Sequence, residues 1–77
     1  MPKVPVDEFA GRLKELRLAS GMTQKEAATA LGMPEPLWQK YEWGLSVPSL
    51  GKCVKIADLF NVSLDYLAGR SENPDKP

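Results

Sequence analysis

Seventy-seven residues, with ten Lys+Arg against ten Asp+Glu, no histidine and one cysteine, make one small domain. A chain of this size buries only about 60% of its unfolded surface, and the cysteine count excludes an internal disulfide and a Cys/His metal staple. Zero net charge removes the simplest argument for a nucleic-acid binder, which draws much of its affinity from phosphate neutralisation, but leaves open a protein whose charges are sorted by face.

No apolar run approaches the roughly 20 residues of a membrane span, and MPKVPVDEF lacks the apolar core of a signal peptide. A soluble cytoplasmic protein packed through helices alone is expected, helped or not by a partner subunit. Residues 1–7 hold two prolines and no periodic pattern, and read as an N-terminal arm. From Glu8 to Ser20 the apolar residues Phe9, Leu13, Leu16 and Ala19 recur at helical spacing, with Leu18 off the stripe. Gly21 ends that helix as a left-handed cap.

Thr23-Gln24-Lys25-Glu26 has the pattern of a capping box. It opens a short alanine-rich helix that runs to Leu31 and stops at Gly32. The next helix spans Glu35 to Trp43, with Trp38 and Tyr41 three apart as core anchors and Gly44 at its close. Pro34 restricts Met33 to extended backbone, and Pro36 is tolerated in a first helical turn. Ser49 then caps a fourth helix, whose Leu50, Cys53, Ile56, Ala57, Leu59 and Phe60 are expected inside, and Asn61 takes the left-handed cap. Ser63 starts a last short helix, Leu64 to Ala68, ended by Gly69. Residues 70–77, RSENPDKP, read as a disordered tail, which leaves residues 8–69 as the helical domain. Arg12, Lys14 and Lys55 read as solvated charges, and Cys53 as inert packing.

Five short helices, the second and third joined by a tight glycine turn, form a helix-turn-helix arrangement. Catalysis has no foothold: there is no nucleophile–base pair, phosphate-cradling glycine loop or paired acids in an obvious cleft. With these elements in place, Phe9 to Gly69 resembles the phage repressor/Cro-like helix-turn-helix family. The matching pieces are FAGRLKELRLASGMTQKEAATALGM, KYEWG, PSL and KIADLFNVSLDYLAG, in that order and spacing. The resemblance implies an all-α, compact five-helix, lambda-repressor-like DNA-binding domain, bacterial or phage-encoded, without cofactor or metal. It implies a repressor bound to double-stranded DNA as a homodimer on an inverted repeat.

Carried over by position, the resemblance puts Gln24 on a phosphate; Lys25 is a further candidate DNA contact if it shares that face. The resemblance turns Glu35, Pro36, Gln39 and Lys40 towards base edges and backbone, and brings Lys52 to the backbone. It pairs Arg17 with Glu42 inside the fold. Glutamine matches adenine bidentately and lysine donates to guanine O6 and N7. Glu35 has two open roles, accepting from cytosine N4 or complementing the helix dipole. Pro34 stands where the family usually carries a capping Ser or Thr. Trp43 either folds back over the fourth helix or joins Leu45 and Leu37 in an apolar patch that meets a partner. The dimer surface is expected around Leu64, Tyr66 and Leu67, with Phe60 close by. A second reading is a protein-interaction module on the same scaffold, antitoxin-like, with DNA affinity weak or lost.

Overall fold

The computed structural model describes residues 6–75, so the first five residues of the expected arm and the last two of the tail lie outside it. Helices α1 (Val6–Ala19), α2 (Gln24–Ala30), α3 (Glu35–Glu42), α4 (Leu50–Phe60) and α5 (Leu64–Leu67) follow in order, with no strand among the described residues. None of these helices is long and apolar enough to cross a membrane. Helix α1 starts at Val6, earlier than expected, with Asp7 and Glu8 complementing the dipole of its first turn.

Local chemistry sets the boundaries. Glu26 donates its backbone N–H to Thr23 Oγ1 at 3.0 Å, and Thr23 donates its own to Glu26 Oε1 at 2.8 Å, the reciprocal bonds of a capping box. Ser49 and Ser63 cap α4 and α5 with their hydroxyls. At the other end of α2, Met33 donates to the Ala28 carbonyl at 3.0 Å and Gly32 to that of Thr29 at 3.1 Å, a Schellman closure. This closure holds Gly32 at φ 67°, a conformation that disfavours an L side chain by about 1–2 kcal/mol and that glycine adopts freely. The reversal lays α3 against α2, where the buried Ala27 and Ala28 permit close approach.

Leu13, Ala27, Trp38 and Ile56 form the fully buried centre, joined by Phe9, Tyr41, Ala57, Val62 and Leu67. Four expected core residues lie outside it: Cys53 and Leu59 are only half-buried, and Ala19 and Leu50 are open. Ala19, the last residue of α1, is exposed. Leu50 keeps 74% of its surface in solvent, because at the first position of α4 it stands at the rim of a hollow and not under another helix.

The tail also departs from expectation, because residues 71–74 bond back onto the domain. Arg12 Nη1 donates to the Tyr66 and Ser71 carbonyls at 2.7 and 2.8 Å, and Nη2 to Glu72 at 3.1 Å. The Ser63 N–H donates to the Pro74 carbonyl at 2.9 Å. Arg12 also stacks over the Tyr66 ring, 4.2 Å from its centroid, so it is a clamp and not a solvated charge. Composition gave no sign of this anchor, which joins residues at opposite ends of the chain.

Candidate nucleic-acid interface

Helix α3 has two faces. Trp38, Tyr41 and Glu42 point into the core, while Pro36 and Lys40, with Trp43 just past the helix end, are exposed at helical spacing. Gln39 is half-buried beside that outer stripe.

A polar chain links the two faces. Arg17 Nε donates to Glu42 Oε2 at 2.6 Å and Nη2 to Oε1 at 3.2 Å, while Nη1 donates to the Met22 carbonyl at 2.9 Å. The two side chains are only 10% and 2% exposed. The Trp38 indole N–H donates to Glu42 Oε2, and Gln24 Nε2 donates to Oε1 at 3.2 Å. Gln39 Nε2 in turn donates to Gln24 Oε1 at 3.2 Å.

Burial alone would push the Glu42 carboxyl up. The hydrogen bonds from Arg17, Trp38 and Gln24, with the charge of Arg17, outweigh it and hold the group below its ordinary value. A buried carboxylate thus orients Gln24, and Gln24 orients Gln39. A primary amide has two N–H donors and a carbonyl acceptor, so Gln39 keeps one donor and its acceptor for another molecule. That is the pair of groups an adenine edge requires.

The cations sit around this chain. Lys25 is exposed next to Gln24, and Lys40 next to Gln39. Lys52, exposed in the first turn of α4, shares a cavity of about 220 Å³ with Gly32, Met33, Pro34 and Leu37, which brings it beside the start of α3. There Pro34 offers no side-chain cap, and Glu35 supplies the negative charge of the first turn.

A helix-turn-helix family model matches residues 13–67, which include Arg17, Gln24, Gln39 and Glu42. The chain belongs to the Cro/C1-type helix-turn-helix family. Within it, the chain is similar to the HTH-type transcriptional regulator ImmR of Bacillus subtilis, at 43% identity over 61 residues, 79% of this chain and 48% of that protein. It is 34% identical over 67 residues to the regulator YobD of the same organism, covering 87% of this chain and 60% of that one. The CTXphi transcriptional repressor RstR of Vibrio cholerae matches at 39% over 59 residues, 77% of this chain and 53% of the repressor. The chain therefore spans about half to three-fifths of the length of these relatives.

Other members of the expected site settle differently in this helix-turn-helix domain. Trp43 does not fold back over α4; it is 61% exposed, and Leu45 is 71% exposed beyond it. Tyr66, expected at a partner surface, is half-buried under Arg12, and Leu67 is in the core. Phe60 turns to Trp38, with ring centroids 6.3 Å apart, so only Leu64 of that group stays open. Burial pushes the Cys53 thiol up, and its Sγ lies 3.7 Å from the Pro48 carbonyl. The Gln24–Gln39 bond had no signal in either residue alone, because it depends on how the turn sets α2 against α3.

Proposed function

We propose that this domain reads double-stranded DNA as a transcriptional repressor, with α3 in the major groove and two copies on an inverted repeat. The observation that carries the reading is the amide of Gln39, fixed through Gln24 to the buried Arg17–Glu42 pair at the edge of the exposed face of α3. An amide already oriented loses less side-chain freedom on meeting a base than a mobile one. Gln39 takes adenine and Lys40 takes guanine or the adjoining backbone. The second N–H of Gln24, with Lys25 and Lys52, meets phosphates, which fix register without reading sequence. Pro36 offers an apolar surface to a thymine methyl, and Glu35 serves the helix dipole. The similarity to ImmR, a transcriptional regulator, and to RstR, a transcriptional repressor, supports the same activity, exercised in the cytoplasm. Few base contacts fit one such helix, so a dimer with half-sites about 34 Å apart supplies the specificity.

Selection from a random duplex library, followed by salt titration of the winners, tests this. An enriched inverted repeat whose affinity falls steeply with salt is the expected result. Lys40→Ala should then lose about 1–3 kcal/mol of affinity and relax preference at one base pair; an unchanged preference removes Lys40 from the reading set. Gln24→Ala should weaken binding to all sequences and, by freeing Gln39, blur one adenine position. A loss uniform across sequences would mean that Gln39 reads unaided.

The exposed Trp43, Leu45 and Val47, in a loop without a cation, favour one other reading, a protein-interaction module on this scaffold. Tryptophan is a favoured interface anchor. A library with no enriched site and weak binding at every salt selects that reading.

A further inference from the structure

We propose that the hollow between the α2–α3 turn and α4 binds a short aliphatic carboxylate, with its chain on Leu31, Met33 and Leu37 and its carboxylate between Lys52 and Lys55. The site itself goes beyond the DNA reading, and its consequence for duplex binding rests on that reading.

The hollow holds about 220 Å³ and is lined by Leu31, Met33, Pro34 and Leu37 from the turn and α3, and by Lys52 and Lys55 from α4. Leu31, Met33 and Leu37 are half-buried and pack against the core, so they form a firm apolar floor. Lys52 and Lys55 stand three positions apart on α4, which puts them on one face of that helix, and both are exposed. Neither forms a salt bridge with a described residue. Lysine lays its aliphatic stem along apolar surface and keeps its ammonium in water. The hollow therefore joins an apolar floor to a rim of two unmatched positive charges.

That combination selects the ligand. The floor favours hydrocarbon, and the rim favours an anion that accepts from both ammonium groups. Three other hollows are unsuited to an anion, because two carry Asp65 and one carries Asp58 in their linings. The hollow at the turn has no carboxylate in its lining. Its size favours a small molecule over a peptide helix, which needs apolar anchors spread over about two turns. Pockets for drug-sized ligands begin at about 300 Å³, so this one takes a single short chain. Lys52 is also the residue assigned above to a phosphate. An ammonium held against a bound carboxylate is withdrawn from the DNA backbone, so ligand and duplex weaken each other by the same factor.

Titration of the 77-residue chain with octanoate, followed by NMR without DNA, tests the site. The methyl groups of Leu31, Met33 and Leu37 should shift together and saturate, with a Kd of about 1 mM for so small a ligand. At the concentration of octanoate that half-saturates the site, octanol and acetate should each leave these methyl groups nearly unmoved, since one lacks the charge and the other the chain. Lys52→Gln and Lys55→Gln, both at exposed positions, should each raise the Kd about fivefold. Shifts that do not saturate, shifts centred on Val54 and Leu64, or an octanol response equal to that of octanoate would each overturn the site. Duplex binding is scored separately. Saturating octanoate should weaken the selected duplex about tenfold, while Lys55→Gln should bind that duplex as the wild type does and lose most of the response to octanoate. An unchanged duplex affinity in saturating octanoate would overturn the competition at Lys52. A chain that binds octanoate here and ignores DNA sinks the DNA reading and keeps the site, and the opposite result sinks the site alone.

Discussion

Glu42→Ala is expected to lower folding stability by about 3–5 kcal/mol, since it strands the Arg17 guanidinium in a site stripped of water. Arg17 and Glu42 are 25 positions apart and mutually buried, so neither charge can turn to solvent when the other is lost. A domain of this length holds only about 4–12 kcal/mol in total, and the variant should be largely unfolded or close to it in urea titrations. A loss under about 1 kcal/mol would mean that the pair behaves as a surface ion pair. The wild type should also weaken in acid. The Glu42 carboxyl is held below its ordinary value by the bonds from Arg17, Trp38 and Gln24 that overcome its burial. The unfolded chain therefore takes up a proton first, near pH ~4.3, and stability falls as pH drops from there through the lower folded-state value. Above that window the contribution is complete, and below it nothing remains to lose. Glu42→Gln should flatten this acid limb, and an acid limb equally steep in the variant would assign it to other carboxylates.

What the sequence disclosed was what neighbouring residues decide among themselves. Thr23 with Glu26, Ser49, Ser63, Gly32 and Asn61 all act within a few positions of where they stand, and each terminates a helix as its type predicts. Trp38 and Tyr41 announce a core face because helical periodicity is itself local. Arg12, Leu50 and the bond from Gln39 to Gln24 behave otherwise. Their surroundings are assembled from distant segments, and a cation on an amphipathic stripe reads as solvated until the tail arrives to meet it. Leu50 has the right spacing for the core but overhangs the end of the packed body. Trp43 was recoverable: it falls seven positions after Pro36 and three after Lys40, which continues the outer stripe of α3 and argues against folding inward.

Trp38→Ala is expected to match the first prediction, at about 3–5 kcal/mol, by a different route. Trp38 is fully buried at the centre of the core, packs at a tilt of 51° against Phe60 and donates its indole N–H to Glu42. Removing it opens a cavity that the short helices around it can close only in part. Trp38→Phe separates the contributions: it keeps most of the apolar bulk and the aromatic contact, and loses the donor. Glu42 still has bonds from Arg17 and Gln24 in that variant, so the expected loss is about 1–3 kcal/mol. If Phe proved as damaging as Ala in urea titrations, the hydrogen bond and not the volume would dominate at this position. The Phe variant also carries the functional argument further. It removes one of the donors that fix Glu42, and so loosens, through Glu42, the orientation of Gln24 and Gln39. A folded Trp38→Phe domain should therefore bind its selected duplex with blunted preference at the base pair assigned to Gln39, while preference at the pair assigned to Lys40 stays as in the wild type. Equal blunting at both would show that the buried polar chain sets only the stability of α3 and not the aim of Gln39.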